Sequence, residues 1–160
     1  LIRTGFGVIR KNLHFHNTIP IQTPDGILQV WTIIRQQRRK KMTDNVAIVL
    51  SCGTDNPNRA TRALFLAATA KKQGKNTTLF LLDEAVYLAK EGISAHVRAA
   101  TGDSADDHLS YLQEYEVPIL VCTPCAVSRK ISAEDLVKGA RMATGAELIE
   151  IACNGTVISL

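Results

Sequence analysis

From Met42 onward, apolar residues alternate between two arrangements: short unbroken runs, and longer stretches in which they recur every three to four positions. Val46-Ala47-Ile48-Val49-Leu50, Thr77-Thr78-Leu79-Phe80-Leu81-Leu82 and Ile119-Leu120-Val121-Cys122 have the length and continuity of strands buried on both faces. After the first run, Asn56 can cap a helix and Pro57 can open it. Ala63, Leu64, Ala67, Ala68 and Ala70 supply its apolar side, and Gly74 ends it behind Lys71 and Lys72. Asp83 caps a short helix through Leu88 that stops at Gly92. Ser104-x-x-Asp107 opens a helix whose apolar side is Leu109, Leu112 and Tyr115. A second such spacing, Ser132-x-x-Asp135, opens a helix through Leu136, Val137 and Ala140 that Gly145 closes. Leu148 to Cys153 and Thr156 to Leu160 read as two final strands, with Asn154-Gly155 as a short connection between neighbours.

This alternation predicts an α/β fold: a mostly parallel five-stranded sheet with helices on both faces. The strands are expected near residues 46–51, 77–82, 117–122, 147–153 and 156–160. In such sheets ligands gather at the carboxyl ends of strands, and Cys52 and Cys122 both stand at such ends. If those strands are neighbours, their backbones lie about 5 Å apart. The least patterned stretch, Ile93–Asp103, is expected over the same edge, bringing His96 and Arg98 as weak accessory candidates. Cys153 is expected in the core.

At 160 residues, 46% apolar and 21% charged, the chain suits one soluble globular domain. The net charge of +4 is unevenly spread. Residues 1–41 carry eight Lys/Arg against one acid, Asp25, while residues 42–160 carry eleven against fourteen acids. The predicted domain is thus mildly acidic, and no direct nucleic-acid partner is expected. In the basic segment, Ile27–Ile34 is too short to span a bilayer, and its main basic cluster, Arg35 to Lys41, follows rather than precedes it. No membrane partner is expected. Residues 1–41 read as an amphipathic basic arm, a transit-like segment, or a leader foreign to the natural protein, the last being favoured. A chain beginning at Met42 is accordingly expected to fold alone. His14 and His16 are spaced like a metal pair, but no third ligand is near.

The chemistry concentrates in Cys122-Thr123-Pro124-Cys125, with Arg129 shortly after. Thr123 as cap and Pro124 as first residue would start a helix there, putting Cys122 at the strand's end and Cys125 in the first turn. Free N–H groups at that helix start would favour a thiolate, and Arg129 would add a fixed positive charge. Inert burial, half of a zinc site and a redox dithiol are the competing readings of the pair, although the aromatic residue and glycine usual around a thioredoxin-type pair are absent. Cys52 stands as a resolving thiol, a metal ligand or a bystander. Four irregularly spaced cysteines do not resemble a secreted disulfide framework, which favours a reducing cytoplasm. The turn Ser51–Arg59 carries one glycine and no phosphate-binding fingerprint.

The Val46–Ser51 strand, the long helix from near Asn58, the hydrophobic-Cys-x6-Arg stretch from Ile119 to Arg129 and the final strand Thr156–Leu160 together resemble the DsrE/DsrF/TusD family of small sulfur-relay proteins, over about residues 44–160. The resemblance implies a compact α/β sandwich with flavodoxin-like layering. It also implies a homo-oligomer and a persulfide-bearing role for Cys122, which would accept sulfur from one protein and hand it to another. Lys130 stands where members of the family often carry glycine. Cys125 would be an auxiliary or resolving thiol, and Arg129 would stabilise the thiolate. No organic cofactor is expected, because a persulfide carrier needs none. The alternative is a non-catalytic oligomeric binding module in which Cys52, Cys122 and Cys125 hold zinc or another soft metal.

Overall fold

A computed structural model describes residues 44–160. The basic segment, with His14, His16 and the expectations attached to it, lies outside the described residues. Five strands, β1 (Asn45–Leu50), β2 (Asn76–Leu81), β3 (Ile119–Cys122), β4 (Ala140–Ala143) and β5 (Thr156–Ser159), form one sheet in the order β4-β3-β2-β1-β5. Every neighbouring pair is parallel. Four α-helices accompany them among the described residues: α1 (Pro57–Lys72), α2 (Ala105–Glu114), α3 (Thr123–Ser128) and α4 (Gly145–Cys153). Asp83–Ala89, Ser94–His96 and Ala133–Asp135 are 3-10 segments.

The apolar runs become inner strands because parallel strands between helix layers must be buried on both faces. Ile48, Leu50, Leu79, Phe80, Leu81, Ile119 and Val121 are all fully buried. Helix α1 starts as expected: the Asn56 side chain accepts the Arg59 N–H at 3.2 Å, and Pro57 follows the cap. Its buried face is Ala60, Thr61, Ala63, Leu64, Ala67 and Ala68, and the alanines among them let the helix lie close to β1 and β2. Removing Leu64 alone from water contributes roughly 1.5–3 kcal/mol.

Strands β1 to β4 progress in one direction across the sheet, so right-handed crossovers put α1, α2 and α3 on one face. The step from β4 to β5 runs back past β3, β2 and β1, so the same rule carries α4 over the other face. Consistently, Glu150, Ile151 and Asn154 line a shallow cavity with Ala47 and Thr78 of the sheet. Among the described residues no helix is long and apolar enough to cross a membrane.

Four sequence expectations fail after residue 130. Ser132 and Asp135 do form a reciprocal capping box, but it opens only one 3-10 turn, because Leu136 turns extended and Val137 N–H bonds to Ala89 C=O at 2.8 Å. The chain then enters β4, whose residues Ala140-Arg141-Met142-Ala143 carry no strand signal of their own. The expected strand 147–153 is helix α4, opened by the capping box Thr144–Glu147. Asn154-Gly155 therefore joins a helix to a strand, and Cys153 is exposed at the end of α4 rather than in the core.

Candidate functional site

Three consecutive strand ends meet at the carboxyl edge: Cys52 just after β1, Asp83 and Glu84 after β2, and Cys122 closing β3. Strands β1 and β3 are not neighbours, because β2 runs between them. Two inter-strand spacings put their ends roughly 10 Å apart. Among the described residues no group of three or more His, Cys, Asp or Glu side chains lies close enough together to hold a metal ion.

The start of α3 is displaced by one residue from expectation. Cys122 itself is the N-cap, and Pro124 follows within the first turn. Thr123 is the first helical residue, and its hydroxyl donates to Ala143 C=O at 2.9 Å, pinning the helix start to the end of β4. Cys122 and Cys125 thus occupy the N-cap and third positions, the two whose side chains face each other in a capping box. Here sulfurs replace the usual oxygens. The Cys122 side chain takes no capping hydrogen bond from the helix N–H groups, contrary to the expectation that they would hold a thiolate.

The two cysteines differ in access. Cys122 is buried at 8% exposure, while Cys125 is half-buried nearer the surface. Burial pushes the Cys125 thiol up from its ordinary value, the neighbouring Cys122 adds to the rise, and the Asp83 backbone N–H pulls the other way. Cys125 is thereby kept protonated, with its Sγ 3.8 Å from Asp83 Oδ1. Asp83 does not cap the following 3-10 segment, as the sequence suggested, but forms its first residue with φ at 43°. A non-glycine residue in that left-handed region is held there by its surroundings.

Arg129 is engaged elsewhere than expected. Its Nε and Nη2 donate to Glu84 Oε1 at 3.2 and 2.5 Å, and Nη1 donates to Cys125 C=O at 3.1 Å. The guanidinium braces the end of α3 against the segment leaving β2. Glu84 also meets the loop after β1, where its carbonyl lies so close to Gly53 that a Cβ there would overlap it. Cys52, 9% exposed, receives Arg59 Nη1 at 3.4 Å, and this hydrogen bond is the main cause raising the Arg59 guanidinium. His96 is exposed, and Arg98 closes its own loop by donating to Gly102 C=O at 2.9 Å, so neither is gathered with the cysteines.

Sequence reading thus missed Asp83, Glu84 and Arg59 as partners of the site. The available signal was topological. In a run of consecutive parallel strands, whatever follows the second strand stands between the ends of the first and third. Arg59, in the first turn of α1, lies near the end of the strand that α1 follows.

The arrangement defines a small all-parallel α/β domain with a pair of thiols at the carboxyl edge of an inner strand. The model of the DsrE/DsrF-like family matches residues 44–160, the whole of the described chain, and the protein belongs to that family, generally of sulfur-relay proteins. It is 29% identical over 109 residues to the uncharacterized protein MK0008 of Methanopyrus kandleri, a match spanning 66% of this chain and 84% of that one. It is 34% identical over 94 residues to the uncharacterized protein MJ0989 of Methanocaldococcus jannaschii, spanning 57% and 76%. The crystal structure of ychN protein from E. coli has the same fold, with a TM-score of 0.62 at 23% identity, over 74% of this chain and 100% of that one.

Proposed function

We propose that this protein is a persulfide carrier in which Cys122 accepts a sulfane sulfur from a donor protein and passes it to an acceptor. In loading, the Cys122 thiolate attacks the outer sulfur of the donor's persulfide, forming Cys122–S–SH and releasing the donor as its thiolate. The observation that carries this reading is the placement of Cys122 at the end of β3, with the Cys125 sulfur beside it, in a DsrE/DsrF-like domain. Its 8% exposure suits a sulfur that must be shielded from stray reductants between donor and acceptor. Arg129 is a positioning residue in this scheme, since its charge is taken up by Glu84. A reducing cytoplasm fits a carrier whose cysteines are all free among the described residues.

The experiment is incubation with a persulfide donor followed by intact-mass measurement of wild type, Cys122→Ser and Cys125→Ser. Wild type sampled at once after loading, and Cys125→Ser, should gain the mass of one sulfur atom, removable by reductant, and Cys122→Ser should gain none. Equal loading of Cys122→Ser and wild type would refute the assignment.

The carrier also works, on this proposal, as a homo-oligomer. Helix α4 has no buried residue, with Ile149 65% exposed, and beside it Val157 and Ile158 of edge strand β5 are also exposed. An apolar helix and an open strand edge of this kind are normally covered by another chain. A monomer by light scattering at micromolar concentration would overturn this part.

A further inference from the structure

Cys125 has no part in loading Cys122, yet it stands three residues after the Cys122 cap in the first turn of the same helix, with its sulfur 3.8 Å from a carboxylate oxygen. Three features select it over the other cysteines as a partner for Cys122. The N-cap and third positions of one helix turn hold their side chains within the reach that a disulfide requires, Cβ atoms about 4 Å apart. Cys52, two strands away at roughly 10 Å, exceeds the roughly 7 Å Cα limit for bridging and is already held by Arg59. Cys153 lies at the end of α4, on the opposite face of the sheet from α3. Asp83, held at a positive φ of 43°, places its carboxylate against the Cys125 sulfur.

Resting on the carrier proposal, we infer that Cys125 discharges the persulfide: it attacks the Cys122 Sγ, closing a Cys122–Cys125 disulfide and expelling the outer sulfur as hydrosulfide, while the Asp83 carboxylate takes the Cys125 proton. The bonds balance. The Cys125 S–H bond breaks with its proton going to Asp83, and the sulfur's electron pair forms the new S–S bond. The bond between Cys122 Sγ and the outer sulfur breaks, and its pair leaves with HS⁻. The dithiol is oxidised by two electrons and the sulfane sulfur is reduced to sulfide. An external dithiol then restores both cysteines, becoming a disulfide itself. The protein can thus deliver sulfur in two forms: as sulfane sulfur by direct transfer to an acceptor thiol, or as sulfide through Cys125.

Burial and the neighbouring Cys122 raise the Cys125 thiol, which slows the discharge. A protonated Cys125 is a poor nucleophile, so the loaded state persists until the proton is removed. Asp83 is the group within reach to remove it.

The test loads wild type, Cys125→Ser and Asp83→Asn from a small-molecule persulfide donor, removes the donor by rapid desalting, and follows released sulfide and intact mass with no thiol added. Wild type should release about one sulfide per sulfur loaded and end lighter by two hydrogens than the reduced chain, as expected for a disulfide. Cys125→Ser should load equally and keep its sulfur. Asp83→Asn, which keeps the backbone conformation because asparagine tolerates positive φ, should release sulfide about tenfold or more slowly at neutral pH and recover in alkali. If Cys125→Ser loads but wild type retains its sulfur, or if both release sulfide alike, the discharge step is wrong and the carrier proposal stands. If Cys125→Ser fails to load, the carrier proposal falls and this inference with it. An Asp83→Asn variant matching wild type at every pH removes Asp83 from the step.

Discussion

Arg129 and Glu84 form a two-nitrogen grip on a single carboxylate oxygen, at 3.2 and 2.5 Å, that ties the end of α3 to the segment leaving β2. The third nitrogen, Nη1, holds Cys125 C=O, so one side chain fixes both the helix bearing the thiols and the strand exit facing them. Arg129→Ala and Glu84→Gln should each lower stability only slightly, as for a partly exposed pair. The double variant should cost little more than either single one, as chemical denaturation of all four proteins would show. Cys122 should still load in each. Loss of loading in Arg129→Ala but not in Glu84→Gln would mean that the guanidinium acts on the thiol directly.

Gly53 presses on the Glu84 carbonyl closely enough that any side chain would have to displace it. Gly53→Ala should therefore cost about 1–3 kcal/mol, the usual range for overpacking, measured as a fall in the denaturation midpoint. Because Glu84 adjoins Asp83, the same change should alter the alkylation rate of Cys125, two strands away from the substitution. An unchanged Cys125 rate would show that the strand exits move independently.

Lys130 ends α3 with φ at 57°, while its N–H bonds to Val127 C=O at 3.0 Å and that of Ile131 to Ala126 C=O at 3.0 Å. Glycine adopts this conformation without the steric cost that lysine bears. Lys130→Gly should stabilise the protein by about 1 kcal/mol, seen as a higher melting temperature. Lys130→Ala should not.

The Thr144 side chain accepts the Glu147 N–H at 3.3 Å, and the Glu147 carboxylate accepts from Thr144 N–H and from Arg141. Thr144→Ala should cost about 1 kcal/mol. Arg141 first, and then the Thr144 N–H, lower the Glu147 carboxyl below its ordinary value. Its contribution is therefore present above the ordinary glutamate range and is lost as pH falls through the folded value. The difference in melting temperature between wild type and Glu147→Gln should shrink as the solution is acidified.

Cys125 has the opposite sign. Because its folded value is raised, its contribution to stability is complete below the ordinary cysteine value and is lost as pH rises through the folded one. Alkylation of Cys125 in a Cys122→Ser background tests the causes separately: it should shift to lower pH, since one of the groups raising the thiol is then weakened.

The inner strands, α1 and α2 were legible in the chain because their signals are local. A continuous apolar run such as Val46–Leu50 has no exposed face to offer, and Asn56-Pro57 is a helix start in any context. The position of Cys122 at a strand end was legible for the same reason, as the last residue of such a run before Thr123-Pro124. The segment 132–153 was misread because its signals are weak or shared. Leu148-Ile149-Glu150-Ile151-Ala152-Cys153 suits a strand or a helix face equally, and the capping box Thr144-x-x-Glu147 was the feature that distinguished them. Ala140–Ala143 is a strand because β3 offers it an open edge, a condition that exists only after the sheet has formed. The partners of the site belong to the same category. Which group faces Cys125, and where Arg129 spends its charge, follow from β2 lying between β1 and β3. That order depends on crossovers spanning dozens of residues, whereas a spacing of three or four positions is set by the helix itself.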